Sequence, residues 1–357
     1  MEIAKAHTVH FTRELMRWHN EENTRSLPWK QEKDPYKIWL SEIILQQTRA
    51  EQGLPYYLSF TGQYPTVQHL AKAPDEEVFR LWQGLGYYNR CKNLLASARF
   101  IHTERNNSFP DTYHDLLSLK GIGPYTAAAI ASFAYGLPHA VVDGNVNRVI
   151  ARYFGIDTPF DTTEGKKLFQ DLAQELLDKN DSAAYNQAIM DHGATVCTPA
   201  NPACDRCPLQ KKCFAYKHDV IASLPVKSKK LVVKKRYFHY LVLTHNGKLW
   251  IRKRTKKDIW QNLFEPLLIE HSDALDASAI IARPELSALD LGGHPHYQGA
   301  VTQRLTHQLI ESRFFSMELS KPHAMAAGDG EWVLFGQLNN YPFPRTLVSF
   351  LEKNLYF

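Results

Sequence analysis

No uninterrupted apolar run in the 357-residue chain is long enough to cross a bilayer. Its start, MEIAKAHTVHFTREL, lacks the basic-then-apolar layout of a secretory signal. An intracellular protein without a membrane segment is the expectation. The marks of disorder are absent too, since 44% of residues are hydrophobic and 22% charged. Neither charge sign dominates: 42 Lys and Arg against 37 Asp and Glu leave a net charge of +5, which permits nucleic-acid binding without demanding it. Cysteine is scarce, and its placement matters more than its number. Cys91 stands alone, whereas Cys197, Cys204, Cys207 and Cys213 fall within seventeen residues. In a reducing compartment such a cluster points to metal rather than to disulfides.

The length implies two or three domains. From Val9 to about Gly136 apolar residues recur at helical spacing, broken by SLPWK, YPTVQHLAKAP and NNSFPDTY. Helical patterning resumes in EGKKLFQDLAQELLDKN and AAYNQAIMDHGATVC. The run SLPVKSKKLVVKKRYF carries six basic residues between Lys227 and Arg236 and reads as a linker near a polyanion, or as a solvated linker with no contact. Beyond it the period changes. YFHYLVLT, HNGK and LWIRKR form a predicted hairpin with Asn246-Gly247 at the turn, followed by a helix near DALDASAIIA, a strand at EWVLFG and a final helix at PRTLVSFLEKN. The expected division is 1–222 helical, 223–236 basic linker and 237–357 a separate α+β domain.

The stretch Leu119–Arg148 joins a glycine hairpin to an aspartate. Gly121 and Gly123 allow backbone N–H groups to approach a phosphate, although a plain packing corner gives the same Gly-x-Gly. Asp143 precedes a helical stretch, where it is an N-cap, a functional carboxylate, or both. Asp34 and Pro35 start a second helix, YKIWLSEIILQQTRA, whose many apolar positions imply burial. Burial would raise the pKa of Glu42 and keep a proton available near neutral pH; a solvent-facing or ion-paired Glu42 is the competing reading. A further glycine-rich turn, LWQGLGYYNR, sets aromatics and Arg90 on flexible backbone, suited either to wedging a base stack or to ordinary core packing. The spacing C-x6-C-x2-C-x5-C, with Lys211 and Lys212 directly before its last cysteine, fits a tetrahedral zinc or a [4Fe–4S] cluster.

Together WLSEIILQQT, LKGIGPYTA, VDGNVNR and the cysteine loop resemble the adenine DNA glycosylases of the MutY type within the endonuclease III superfamily. The resemblance covers about residues 8 to 220 closely and the last third more loosely. It implies a mainly α helix-hairpin-helix glycosylase domain, formed of a six-helix barrel and an iron-sulfur cluster loop, with a C-terminal α+β Nudix-like domain. Cys197, Cys204, Cys207 and Cys213 would then hold a [4Fe–4S] cluster. The implied partner is double-stranded DNA with adenine opposite 8-oxoguanine or guanine, bound by a monomer.

Cleaving an N-glycosidic bond requires protonation of a poor leaving group and stabilisation of an oxocarbenium-like sugar, tasks that two carboxylates in different environments divide. The resemblance assigns Glu42 as the acid, and Asp143 as an electrostatic partner or transient nucleophile. Tyr125 stands where bifunctional relatives carry a Schiff-base lysine, which implies a monofunctional enzyme, and Asn145 matches a position that helps hold the sugar or Asp143. Gln47 and Tyr87 match residues inserted into the duplex; Arg25, Trp29, Lys30 and Gln187 match positions near the extruded base, with Lys30 replacing an arginine of some relatives. In the C-terminal domain Leu305-Thr306-His307 stands for a Phe-Ser-His lesion-reading loop, keeping a hydroxyl and an imidazole but not the aromatic. The G-x5-E-x7-R-E-x2-E-E pattern of Nudix hydrolases is missing. Two rival functions stay open at this level: a glycosylase for another mismatched base, such as thymine opposite guanine, and a metal-stapled DNA-binding protein without catalysis.

Overall fold

The computed structural model describes residues 5–228, 233–283, 286, 293–321 and 330–354. The chain divides into two compact units, Met1–Ala71 with Asn93–Lys230, and Lys72–Lys92 with Leu231–Phe357.

The first unit is helical. Its elements are α1 (Lys5–Glu21), α2 (Pro35–Leu45), α3 (Ala50–Gln63), most of α4 (Val67–Lys72), then, beyond α5 (Asp75–Leu81), most of α6 (Asn89–Glu104), α7 (Tyr113–Leu117), α8 (Pro124–Tyr135), α9 (Gly144–Phe154), α10 (Thr163–Leu176), α11 (Ser182–Thr195) and α12 (Phe214–Lys217). Capping fixes where the functional helices begin. Asp34 accepts from Tyr36 N–H, with Pro35 at the first turn of α2, and Asp143 accepts from Val146 N–H at the start of α9. Gly136 and Gly155 end α8 and α9 in left-handed conformations. The core joins Phe11, Leu15 and Trp18 of α1 to Val149 and Ile150 of α9, Phe169 of α10 and Tyr185 of α11. This packing fixes α9 and α11 side by side, and both carry site residues.

The second unit is built on a mixed sheet of order β3-β2-β1-β6-β5, with β4 pairing β1 and β7 pairing β2. Its strands are β1 (Lys234–His245), β2 (Lys248–Lys253), β3 (Phe264–Glu265), β4 (Leu267–His271), β5 (His296–Arg304), β6 (Gln308–Glu318) and β7 (Gly330–Leu334), with helices α13 (Ala277–Ile281) and α14 (Arg345–Lys353). The β1–β2 turn has φ of 49° at Asn246 and 73° at Gly247, the left-handed pair expected of an Asn-Gly hairpin. β1 and β6 run parallel from Lys234 opposite Gln308 to Thr244 opposite Glu318, and Leu241, Leu243, Trp250, Phe315 and Met317 fill the core below them.

Two features depart from a division by sequence alone. Segment 72–92 belongs to the C-terminal unit: Glu76 pairs with Lys253 at 2.6 Å, Gln83 accepts from Phe343 N–H at 3.2 Å, and Lys92 donates to Gln261 at 3.1 Å. The basic stretch 223–236 is also not linker to its end. β1 begins at Lys234, and Arg236, 9% exposed, is held by Asp258 at 2.7 Å and Glu270 at 2.7 Å. Its charge is spent inside the fold, so the reading of Arg236 as a contact for a polyanion is corrected. Lys229 and Lys230 of the same stretch lie outside the described residues.

Candidate active site

Within the helical unit one cavity is lined by Arg25, Trp29, Lys30, Glu42, Tyr125, Asp143, Asn145 and Gln187, bringing together the residues singled out as catalytic or base-binding. Each reaches it for a local reason. α2 is apolar on nearly all sides, with Ile38, Trp39, Leu40, Ile43 and Ile44 buried, so Glu42 cannot turn to water and is only 6% exposed. Burial pushes its carboxyl up to about 7; the Tyr125 hydroxyl, hydrogen-bonded to it, pulls the other way, and nearby Asp143 adds to the rise.

Tyr125 is delivered by the hairpin. Gly121 has φ of +82°, and a Cβ there would lie 2.8 Å from Cβ of Asn93, so both backbone and packing require glycine. Gly123 differs: it caps α8 with φ of −100°, and a Cβ would meet nothing within 4 Å. Burial and the two carboxylates drive the Tyr125 pKa well above that of a free phenol, so it remains a donor.

Asp143 is both N-cap and site residue. One oxygen accepts from Val146 N–H at 2.8 Å and the other from Asn145 Nδ2 at 2.8 Å. Burial raises its carboxyl, while these two hydrogen bonds favour the ionised form. Arg148 locks the arrangement by donating to Asn145 Oδ1 at 2.8 Å, to the Gly193 carbonyl at 2.7 Å and to the Cys197 carbonyl at 2.7 Å. The Asn145 side chain is thereby oriented from both ends.

Three of the side chains predicted to lie near the base, Arg25, Lys30 and Gln187, share an organiser that sequence reasoning missed. Asp191 of α11 is fully buried and accepts from Arg25 at 2.8 Å, Lys30 at 2.5 Å, Asn23 at 2.8 Å and Gln187 at 3.1 Å. Lys30 also donates to the Arg25 carbonyl. Trp29 stands apart from this network, edge-on to Tyr57 with ring centroids 5.4 Å apart. Only its spacing of four from Gln187 marked Asp191 in the sequence.

The remaining predicted DNA contacts lie outside this cavity. Gln47 follows the last turn of α2, exposed, with φ of +56°. Tyr87, in the second unit, is 47% exposed with φ of +49°, and its hydroxyl lies 2.8 Å from that of Thr306 in the same unit. Non-glycine residues held at positive φ concentrate at functional positions. Thr306 and His307 occupy the exposed turn between β5 and β6.

The four cysteines surround a second, small pocket with Arg152 and Ile221. Arg152 spans its rim, donating to the carbonyls of Thr198 at 2.7 Å and Leu224 at 3.0 Å and reaching Cys197 Sγ at 3.5 Å. Four thiols lining one small pocket are a donor set that fits a metal group, and the Arg152 guanidinium suits anionic sulfur. Burial pushes the Cys207 thiol up to about 12, so it is a cationic group that would hold it as thiolate.

The chain is similar to known DNA repair proteins. A family model described as HhH-GPD superfamily base excision DNA repair protein matches residues 40–178, and one described as NUDIX domain matches 239–353. The chain is 36% identical over 254 residues to an adenine DNA glycosylase of Buchnera aphidicola subsp. Schizaphis graminum, covering 71% of this chain and 73% of the relative. It is 40% identical over 219 residues to the adenine DNA glycosylase of Homo sapiens, covering 59% and 40% respectively. A solved thermostable thymine-DNA glycosylase superposes with a TM-score of 0.56 at 30% identity, over 60% of this chain and 98% of that one. Endonuclease III in a non-covalent DNA complex gives 0.53 at 19% identity, over 61% and 99%, a likeness of fold. No described helix is long and apolar enough to cross a membrane.

Proposed function

The chain belongs to the adenine DNA glycosylases, and from that premise we propose that it hydrolyses the N-glycosidic bond of adenine mispaired with 8-oxoguanine or guanine in double-stranded DNA. The observation that carries this reading is the pair of carboxylates in one cavity: Glu42, raised by burial to about 7, beside Asp143, whose ionised form is held by Val146 N–H and Asn145. Near neutral pH Glu42 keeps a proton for the departing base, and Asp143 keeps a charge for the developing sugar cation. After base departure the Glu42 carboxylate accepts a proton from the attacking water. Tyr125 holds the Glu42 carboxyl by its hydrogen bond and, having no amine, forms no imine with the sugar; the enzyme is therefore monofunctional.

Arg25, Lys30 and Gln187, gathered by Asp191, present donors to the extruded base, and Trp29 offers it a flat apolar face. Gln47 and Tyr87 fill the space the base leaves, Gly121 and Gly123 bring backbone N–H groups to phosphate, and Thr306 and His307 read the opposite base. Cys197, Cys204, Cys207 and Cys213 hold a [4Fe–4S] cluster. With such a cluster bound, the four cysteines would be stapled into one loop, from which Lys211 and Lys212 would offer their charges to the phosphate backbone.

The likeness to a thymine-DNA glycosylase supports a second reading, in which the same carboxylates act on thymine opposite guanine. Base-release assays on duplexes with adenine opposite 8-oxoguanine, guanine, cytosine or thymine, and with thymine opposite guanine, separate the two. The proposal expects release of adenine, fastest opposite 8-oxoguanine; release of thymine alone would replace it with the second reading.

A further inference from the structure

His192 follows Asp191 on α11, and its ring meets Cys207, one of the four clustered cysteines. The imidazole is 1% exposed, its Nε2 lies 3.4 Å from Cys207 Sγ, and its Nδ1 has no hydrogen-bond partner among the described residues. Among the described residues the sulfur is thus the ring's one hydrogen-bonding contact. The ring plane is fixed by Trp18, which meets it edge to face at 5.2 Å and 88°. The same residue is tied to the loop through its backbone, because its carbonyl accepts from Val196 N–H at 2.9 Å and Cys197 N–H at 2.8 Å. No catalytic step above uses this ring, and with Nδ1 already orphaned in a dry interior, loss of the Nε2 contact would add a second unsatisfied nitrogen.

We propose that His192 is a positioning residue for the metal group, donating its Nε2–H to the Cys207 sulfur and thereby setting the reduction potential of the bound iron–sulfur cluster. This rests on the cluster reading given above. A neutral imidazole has one N–H, and the geometry directs it to a sulfur that would be a thiolate in the loaded protein. The reduced cluster carries one more negative charge, shared by its sulfurs. A donor at sulfur therefore stabilises the reduced state more than the oxidised one and raises the potential. Adjacent residues of α11 then serve the two sites, Asp191 the base pocket and His192 the cysteine pocket.

The test is voltammetry of the full iron-loaded chain on a DNA-coated electrode, comparing the parent with His192→Leu, which has no donor, and His192→Gln, whose amide can donate from a similar reach. The expected result is a shift to lower potential in His192→Leu and return toward the parental value in His192→Gln. A parental potential in His192→Leu, or a His192→Gln variant that tracks it, overturns the contact. Iron content and visible absorption of each preparation keep the test decisive. Iron lost from His192→Leu but retained by His192→Gln reads the same contact through retention and supports it, whereas iron lost from both overturns it. A parent protein loaded with zinc, or free of iron, defeats the cluster reading itself; an iron-loaded parent whose potential ignores His192 defeats only the inference.

Discussion

Replacing Asp191 by asparagine removes one buried negative charge from beneath two cations. In the native fold the carboxylate is fully buried and takes four donors, from Arg25, Lys30, Asn23 and Gln187. Removing one partner of a buried ion pair costs about 3–5 kcal/mol. The Arg25 and Lys30 side chains remain 29% and 11% exposed and can recover some hydration, and asparagine keeps one acceptor oxygen. The cost therefore falls to or just below the bottom of that range, about 2–3 kcal/mol. With a urea dependence of about 3 kcal/mol per molar, the unfolding midpoint of the helical unit should fall by close to 1 M. Arg25, Lys30 and Gln187, proposed to face the base, lose their common anchor as well. Single-turnover adenine release should drop about tenfold or more, the equivalent of about 1.4 kcal/mol in the barrier. The assays are urea unfolding followed by fluorescence and quenched single-turnover kinetics on an adenine:8-oxoguanine duplex. A midpoint unchanged within about 0.2 M, together with a parental rate, would refute the role of Asp191 as organiser.

Other perturbations have equally definite outcomes. The folded Glu42 carboxyl stands at about 7 against about 4.3 in an unfolded chain, so the folded state holds an extra proton between these values. Stability therefore falls as pH rises through that window, by about 3–4 kcal/mol, and levels off above it. Glu42→Gln should be more stable than the parent at pH 8 and nearly equal to it at pH 4; parallel urea midpoints across pH would contradict the buried carboxyl. Gly121→Ala, with φ of +82° and Asn93 in the way, should cost about 1–2 kcal/mol or more, whereas Gly123→Ala should leave the melting temperature almost unchanged. Equal melting temperatures for the two variants would disprove the difference. Arg236→Met should destabilise the C-terminal unit by about 1–3 kcal/mol, reduced by the partial exposure of Asp258 and Glu270. It should leave the salt slope of DNA binding unaltered, and a slope shallower by about one would restore Arg236 to the DNA surface.

What could be read in the sequence follows locality. Asp34, Pro35 and Asp143 act within three residues of themselves, so their caps and the helices they start were legible. Glu42 was legible because its neighbours along the chain are apolar, and Asn246-Gly247 because a two-residue turn dictates its own dihedrals. Asp191 was not, since its donors Asn23, Arg25 and Lys30 are more than 160 residues away and come together only when α11 packs in the first unit. Arg236 was misread for the same reason: a run of like charge shows the cations but not Asp258 and Glu270, which neutralise one of them. The grouping of 72–92 with the C-terminal strands depends on pairs such as Glu76 with Lys253, which no period or motif announces.

The most direct test of the central claim is single-turnover release of adenine opposite 8-oxoguanine by the parent chain and by Glu42→Gln. The two-carboxylate site predicts free adenine and an alkali-labile abasic strand from the parent, and a rate lower by about 100-fold or more in the variant. An intact duplex from the parent, or release by Glu42→Gln at the parental rate, would contradict it.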